Sequence, residues 1–327
     1  MKKKILSGMR PTGKLHLGHL VGALKNWSKL QDEYDCLFMV ADWHALMSEY
    51  KNPANLKEYC LDNVIDWISC GINPEKSTLF VQSHVPEHLE MYMSLSCITP
   101  LGLLERCPTY KEQLRELKTR EVNNYAFLGY PVLQAADILL YKAEVVPVGE
   151  DQLPHLELTR EISNRFNTIF KQDVFPEPQA MLTQFPRLLG LDGRKMSKSY
   201  DNYIGLSDQP DIIYAKVKTM ITDPRRIKKT DPGHPEVCNV YSYYQVFTDP
   251  RICSIVETQC EKGEIGCIDC KKRLGDVLVE FLEPIQEKRK ALVSDHKTIL
   301  KILEIGRAKA ATIAGATMKQ VRQAVGL

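Results

Sequence analysis

Long hydrophobic runs are missing from this sequence of 327 residues. No stretch approaches the ~18 apolar residues that a helix needs to span a bilayer, so a membrane-spanning protein is not expected. After the basic start Met1–Lys4, the apolar run stops after two residues, whereas a secretory signal needs roughly 7–15. We therefore predict a cytoplasmic protein.

The sequence also lacks internal repeats, low-complexity tracts, and nicotinamide- or flavin-binding motifs. Hydrophobic residues make up 44% of the chain and charged residues 26%, which is typical of a folded globular protein. This composition excludes long-range disorder, collagen-like repeats and coiled-coil rods. The length allows one large domain and a smaller second one.

The charge is uneven along the chain, although the net charge is only +2. Residues 271–327 contain twelve Lys and Arg against six Asp and Glu, whereas the preceding residues contain 31 against 35. A basic C-terminal part on a slightly acidic body favours a polyanionic partner. Solvated helix faces explain the same charge pattern equally well.

In the first two thirds of the chain, short β-type runs alternate with helical patterns. The predicted strands are Lys4–Ser7, Cys36–Ala41, Thr78–Gln82 and Val145–Val148. The clearest predicted helices are Pro53–Cys70, Pro131–Tyr141 and Asp151–Phe166. Strands that alternate with helices of this length predict an α/β fold with a doubly wound, Rossmann-like parallel sheet.

After about residue 200 the strand signals disappear and only helical patterns remain. The predicted helices there are Gln209–Met220, Val240–Phe247, Cys270–Glu283 and Ile299–Ala314. We therefore predict a domain of residues 1–199 that carries the sheet and a smaller helical domain of residues 200–327. Whether the last helix, near Met318–Val325, packs back on the first domain is left open by the sequence.

A glycine-containing loop follows the first predicted strand and leads into a helix. Backbone N–H groups at a helix N-terminus, together with the positive end of the helix dipole, favour an anion. His16 and His19 are three residues apart at this helix start, so both can donate to phosphate oxygens. The alternative is a capped helix with two surface histidines.

A second candidate phosphate-binding segment, Gly193–Ser199, lies where the strand pattern gives way to helices. Lys195 and Lys198 supply mobile ammonium groups, and Ser197 and Ser199 supply hydroxyl donors. Phosphoryl and nucleotidyl transfer depend mainly on positioning and on cations that stabilise developing negative charge. By itself, a basic loop of this kind is usually only solvated.

Both segments resemble signatures of class I aminoacyl-tRNA synthetases. His16-Leu17-Gly18-His19 is similar to the HIGH signature, and Lys195-Met196-Ser197-Lys198-Ser199 matches the KMSKS signature letter for letter. The resemblance runs nearly end to end and includes the segments 41–44, 130–139 and 146–152. These segments resemble the bacterial tryptophanyl-tRNA synthetases more than their tyrosyl relatives.

The resemblance implies a Rossmann-like catalytic domain and a helical anticodon-binding domain. It also implies the activation of L-tryptophan with ATP and Mg²⁺ and the transfer of the activated amino acid to tRNA(Trp). The catalytic residues would be His16, His19, Lys195 and Lys198. The implied ATP contacts are Arg10, Pro11, Thr12, Gly18, His19, Gly149, Glu150, Asp151, Leu188, Lys195, Met196, Ser197, Lys198 and Ser199.

By the same resemblance, Asp137 accepts a hydrogen bond from the indole N–H of the substrate. A buried acceptor rejects phenylalanine, which would leave it unpaired. Gln134 shares this role or holds the substrate amine. The remaining residues implied in the tryptophan site are Leu6, His44, Tyr130, Val146, Val148 and Gln152. The alternative for Asp137 is a carboxylate that pairs with a surface cation.

Five of the ten cysteines lie within residues 238–270. In a cytoplasmic chain, this density favours a metal site over disulfides. Four thiolates, from Cys238, Cys260, Cys267 and Cys270, suit either a tetrahedral zinc ion or an iron–sulfur cluster. The resemblance favours a 4Fe-4S cluster beside the anticodon-binding surface. Cys253 is the spare cysteine, or alternatively the ligand in place of Cys238.

The resemblance further implies a homodimer that binds neither membrane nor DNA. The alternatives are a tyrosyl-tRNA synthetase, which shares the fold and both signatures, and a small-cofactor adenylyltransferase, which shares the helix start. A third alternative is an iron–sulfur protein that keeps the synthetase fold only for binding tRNA.

Overall fold

A parallel sheet forms the centre of the N-terminal part of the chain. The computed structural model describes residues 2–108, 110–111, 124–182 and 188–327. The five strands are β1 Lys4–Met9, β2 Asp35–Val40, β3 Ser77–Val81, β4 Val145–Val148 and β5 Gln179–Leu182. Their order in the sheet is β3-β2-β1-β4-β5, and all neighbouring pairs are parallel. The predicted doubly wound α/β fold is therefore confirmed.

The strand order reverses between β1 and β4, where Ile5 pairs with Val145. The first four strands were predicted from the sequence, whereas β5 was not. This edge strand has the sequence Gln-Ala-Met-Leu, which contains no β-branched or aromatic residue, and its register with β4 supplies the missing information.

Helices connect the strands and continue to the C-terminal end of the chain. Near the N-terminus, α1 Leu17–His19 continues through a π-helical turn Leu20–Leu24 into α2 Lys25–Glu33. They are followed by α3 Asp42–Glu49, α4 Leu56–Ser69, α5 Glu87–Ser96, α6 Leu101–Arg106, α7 Tyr125–Leu140 and α8 Leu153–Phe170. The remaining helices are α9 Pro210–Thr219, α10 Asn239–Phe247, α11 Pro250–Glu261, α12 Cys267–Ser294 and α13 His296–Val325. Within the described part of the chain, none of them has the length and apolarity to cross a membrane.

Contacts divide the chain into two compact units. The sheet unit comprises Met1–Gly13, Trp27–Gln184 and Asp295–Leu327, and the helical unit comprises Lys14–Asn26 and Phe185–Ser294. This division differs from a single boundary at residue 199, because α13 contacts β3, α5 and α7. The last helix therefore belongs with the sheet.

Helix α7 carries Asp137, the predicted indole acceptor. It begins at Tyr125, six residues before the predicted start at Pro131, because the Asn124 side chain accepts a hydrogen bond from the Phe127 N–H. Pro131 lies inside the helix, where it removes one backbone donor. Burial over most of its length places α7 in the hydrophobic core of the sheet unit.

Helix α13 packs closely on strand β3 through Gly306. A Cβ atom at this position would overlap the carbonyl oxygen of Leu79, which belongs to rigid strand backbone. Gly315 lies farther along the same helix and has no neighbouring atom within 4 Å of its ideal Cβ position. A comparison of the two positions therefore distinguishes the effect of close packing at Gly306 from the general effect of glycine on helix stability.

We expect Gly306→Ala to destabilise the protein by about 1–3 kcal/mol, since the added methyl group forces α13 away from β3. The matched variant Gly315→Ala should be neutral or stabilising by at most about 1 kcal/mol, because alanine is the better helix former. Urea unfolding followed by circular dichroism measures both changes. Equal stability of the two variants would contradict the close packing of α13.

Candidate active site

The carboxyl ends of β1 and β4 lie next to each other where the strand order reverses. In open parallel sheets, ligands bind at such a reversal, outside the carboxyl ends of the strands. The predicted ATP residues Arg10, Pro11 and Thr12 follow β1, and Gly149, Glu150 and Asp151 follow β4. Both groups thus come from the edge of the sheet that general principles favour for ligand binding.

Two local features shape these two loops. After β1, the Thr12 N–H donates to the Arg10 carbonyl at 2.9 Å, and Gly13 has a φ of 115°. After β4, a Cβ atom at Gly149 would lie 2.7 Å from Oδ1 of Asp151. Glycine is required at Gly13 for its conformation, whereas at Gly149 the exposed Asp151 side chain can turn away from an added Cβ.

In the helical unit, His16 and His19 form a reciprocal cap at the start of α1. The Gly18 N–H donates to Nδ1 of His16, and the His16 N–H donates to Nδ1 of His19, each at 3.2 Å. Both Nδ1 atoms are therefore acceptors, and each neutral ring carries its proton on Nε2.

Burial keeps both imidazoles neutral. It lowers the pKa of His16 to about 3, with further contributions from the positive charges of Lys198 and Lys216. Burial also lowers the pKa of His19 well below its usual value, assisted by His16 and Lys198. The two rings therefore offer N–H donors to an anion without losing a proton at neutral pH.

The segment 203–206 pairs with the residues that lead into α1. The Leu17 N–H donates to the Ile204 carbonyl, and the Leu206 N–H donates to the Leu15 carbonyl, both at 3.0 Å. His16 and Gly205 form an isolated antiparallel bridge. This pairing joins the helix start to the chain that directly follows the lysine loop, residues 195–199.

The lysine loop contacts the helix start through Met196. The Sδ atom of Met196 lies 3.2 Å from the Gly18 nitrogen and accepts its N–H. Ser197 caps the short 3₁₀ turn Lys198–Tyr200. Lys195 is exposed, Lys198 is half-buried, and Leu188 is buried. The structure thus brings together His16, His19, Gly18, Met196 and Lys198 within one unit.

Asn202 is a residue of this loop that the sequence analysis missed. Its Oδ1 accepts the Ser197 N–H at 2.8 Å, and its Nδ2 donates to the Lys195 carbonyl at 3.1 Å and to Oδ1 of Asp192 at 2.7 Å. Asn202 is buried, so these bonds define the path of the loop. Its position three residues after the last signature residue was the only signal in the sequence.

In the sheet unit, the Asp137 carboxylate is buried, with 3% of the residue exposed. Its Oδ1 accepts from Nε2 of Gln82 at 2.8 Å and faces Nδ1 of His88 at 2.6 Å. Its Oδ2 faces Nε2 of His44 at 2.9 Å and accepts from Nε2 of Gln82 at 3.0 Å. The surface-cation alternative for Asp137 is wrong, because its partners lie inside the sheet unit.

Burial alone would raise the pKa of Asp137, since it penalises the charged form. The charge of His88 and the hydrogen bonds from His44 and His88 outweigh this effect and lower the pKa below its usual value. The carboxylate therefore stays ionised in the core and acts only as an acceptor. The two histidines consequently donate their N–H groups to it.

Gln82 and His88 were not predicted from the sequence. Gln82 directly follows β3, at a carboxyl end of the sheet, and His88 lies on the buried face of α5 together with Met91 and Leu95. A fully buried histidine on an apolar helix face needs hydrogen-bond partners. That requirement was the available signal, but it did not identify Asp137 as the partner.

The other residues implied in the tryptophan site lie in different local environments. Leu6, Val146 and Val148 belong to the hydrophobic core of the sheet unit. The Tyr130 hydroxyl lies 3.0 Å from Nε2 of His155, and Nε2 of Gln152 donates to Oδ2 of Asp151. Gln134 is half-buried, whereas Tyr130 is buried.

The predicted cysteine ligands all lie in the helical unit. Cys238 precedes α10, Cys260 lies in the last turn of α11, and Cys267 and Cys270 lie in the first turn of α12. Burial raises the pKa of Cys270 to about 12, and the other three thiols contribute to this shift. Among the described residues, however, no three His, Cys, Asp or Glu side chains converge as metal ligands do.

The parallel sheet and the capped histidine motif facing the lysine loop define a class I aminoacyl-tRNA synthetase. In agreement, residues 2–283 match the family model described as class I tRNA synthetases for W and Y.

Individual relatives narrow this class. The chain is 50% identical to the tryptophan–tRNA ligase of Thermotoga maritima over 326 residues, which cover 99% of both proteins. It is 42% identical to the corresponding ligase of Aquifex aeolicus, over 99% of this chain and 100% of that protein. The crystal structure of tryptophanyl-tRNA synthetase from Campylobacter jejuni, complexed with ADP and tryptophan, superposes with a TM-score of 0.91. It is 32% identical, with 99% of this chain and 100% of the other covered. The chain therefore belongs to the tryptophan–tRNA ligase family.

His155 makes the stability of the protein depend on pH. Burial lowers its pKa from 6.5 to about 4, and the charge of His44 contributes. Between these two values the unfolded chain binds a proton that the folded chain does not bind. The free energy of unfolding therefore falls as the pH decreases from 6.5 toward 4.

We expect His155→Gln to reduce the loss of stability between pH 7 and pH 5 by about 2 kcal/mol, since one pKa unit corresponds to ~1.4 kcal/mol. Urea unfolding at both pH values measures this loss. His296→Gln, at an exposed position, is the control and should keep the wild-type loss. If His155→Gln lost as much stability between the two pH values as the wild type, the pKa of His155 would not be lowered in the folded protein.

Proposed function

We propose that this protein activates L-tryptophan with ATP and transfers it to tRNA(Trp). The observation that carries the proposal is the contact between Gly18 and Met196, 178 residues apart in the chain. It joins a helix start that favours anions to a loop with two lysines. Membership in the tryptophan–tRNA ligase family supports the same reaction, and neither the tyrosyl nor the adenylyltransferase alternative is favoured.

In the first step, a carboxylate oxygen of tryptophan attacks the α-phosphorus of ATP. A C–O–P linkage forms, the bond between the α-phosphorus and the bridging oxygen breaks, and pyrophosphate leaves with Mg²⁺. The tryptophan carboxylate is ionised at neutral pH, so this step needs no general base. The protein must instead align the reactants and stabilise negative charge.

His16 and His19 contribute neutral N–H donors, because their Nδ1 atoms are already engaged in the cap. The positive charges of Lys195 and Lys198 stabilise the negative charge on the leaving pyrophosphate. The Gly18 N–H is shared between Nδ1 of His16 and the Met196 sulfur, and the sulfur is a weak acceptor that a phosphate oxygen replaces favourably. Met196 therefore withdraws from Gly18 when ATP binds.

In the second step, the terminal ribose hydroxyl of tRNA attacks the carbonyl carbon of the adenylate, and AMP leaves. Asp137 selects the amino acid, because it accepts a hydrogen bond from the indole N–H. Phenylalanine lacks that donor and therefore gains no hydrogen bond from Asp137. The basic residues Lys271, Lys272 and Arg273 meet the phosphate backbone of the tRNA. The working form is a cytoplasmic homodimer.

We further propose that Cys238, Cys260, Cys267 and Cys270 hold a 4Fe-4S cluster. Four thiols in one unit have the donor chemistry for such a cluster. Burial raises the pKa of the Cys260 thiol, and the thiols of Cys238 and Cys267 contribute, which is consistent with their lying in one part of the helical unit. The cluster would hold the loops of the helical unit together, and zinc is the alternative.

Pyrophosphate exchange tests the reaction. Purified protein should incorporate labelled pyrophosphate into ATP when tryptophan is present, and not with tyrosine or without an amino acid. Lys195→Ala and Lys198→Ala should each lower kcat by about 10²-fold, as expected for lost transition-state charge stabilisation. Exchange with tyrosine but not with tryptophan would overturn the substrate assignment.

Metal analysis tests the cluster. Protein purified without oxygen should be brown and contain about four iron and four sulfide per chain, and Cys267→Ser should lose both. Cys253→Ser is the matched control, because the Cys253 thiol donates to the Tyr244 carbonyl at 3.2 Å and should not affect the iron content. Colourless protein with one zinc per chain would favour the alternative.

A further inference from the structure

The two oxygens of Asp137 have partners of different exposure. Oδ1 is bonded to Gln82 and His88, both completely buried. Oδ2 is bonded to Gln82 and to His44, whose side chain is 12% exposed. Since a carboxylate has about four lone-pair sites, all of them are in use. A ligand donor must therefore replace one existing partner, and His44 is the most accessible one.

His88 is itself held in one orientation. Its Nε2 lies 2.8 Å from the Tyr141 hydroxyl, and its ring contacts Tyr141 and Phe80. Because the ionised Asp137 only accepts, Nδ1 of His88 carries a proton and acts as the donor to Oδ1. Nε2 forms the second hydrogen bond of the ring, with the Tyr141 hydroxyl. His88 thus connects α5 to two positions on or just after α7, and it cannot leave Oδ1 without losing both bonds.

We propose that His88 is a positioning residue for tryptophan selectivity, which holds Oδ1 of Asp137 so that Oδ2 is presented to the indole N–H in place of His44. This inference rests on the proposed role of Asp137 as the indole acceptor. His44 is the exchangeable donor that keeps Oδ2 satisfied before the substrate binds, and His88 is the permanent one. His88 does not touch the substrate.

Two substitutions separate the two nitrogens of His88. The amide nitrogen of asparagine replaces Nδ1, so His88→Asn keeps a donor for Asp137 and loses the bond to Tyr141. The amide of glutamine reaches the position of Nε2, so His88→Gln keeps the bond to Tyr141 and loses the donor for Asp137. Tyr141→Phe is a further control that leaves the contact between His88 and Asp137 in place.

The readout is the ratio of kcat/KM for tryptophan to that for its benzothiophene analogue, in which sulfur replaces the indole N–H. Pyrophosphate exchange measures both values. We expect His88→Gln to lower this ratio at least tenfold, whereas His88→Asn and Tyr141→Phe stay within about threefold of the wild type. KM for ATP should change little in all three, which shows that the active site remains folded.

A ratio in His88→Gln equal to that of the wild type would overturn the inference, as would an equal loss of activity toward both substrates in His88→Asn and His88→Gln. Asp137→Ala, which removes both acceptor oxygens, separates this failure from failure of the proposed function. If Asp137→Ala lowers the ratio and His88→Gln does not, only the role of His88 is wrong. If Asp137→Ala leaves both the ratio and KM for ATP unchanged, Asp137 is not the indole acceptor.

Discussion

The burial of one negative charge organises the predicted tryptophan site in the sheet unit. A carboxylate inside a hydrophobic core is costly unless donors surround it. Asp137 obtains these donors from α3, from the end of β3 and from α5. Each of these elements must therefore keep its position relative to α7. Three elements of the sheet unit thus determine where this buried acceptor lies.

In the helical unit, the residues proposed to bind phosphate must attract negative charge, whereas the sheet unit must stabilise a buried one. His16 and His19 are kept neutral by burial and by neighbouring lysines, and they act as oriented N–H donors. Positive charge comes from the lysine loop, whose path is defined by Asn202. Donors that are already oriented need no reorganisation when charge develops on a phosphate.

Local patterns predicted most of the fold, and their failures have physical causes. β5 was missed because its residues have little β-propensity and obtain their register from β4. α11 was not predicted, although Asp249 and Pro250 form a good helix start; Val256 is its one buried residue. The start of α7 was placed at Pro131, because a proline usually stands in the first turn of a helix. In this protein Pro131 instead lies inside α7, where it is buried.

Short-range patterns of residue type were enough to predict the parallel sheet and the histidine and lysine segments, whereas the role proposed for Asp137 came from the family resemblance. Three other features became evident in the folded chain alone: α13 joins the sheet unit, His16 and His19 carry their proton on Nε2, and Gln82 and His88 form hydrogen bonds with Asp137. Hydrogen-bond partners such as His88 and Asp137 are 49 residues apart in the chain. Burial and long-range hydrogen bonding depend on which elements pack together, and no local pattern contains that information.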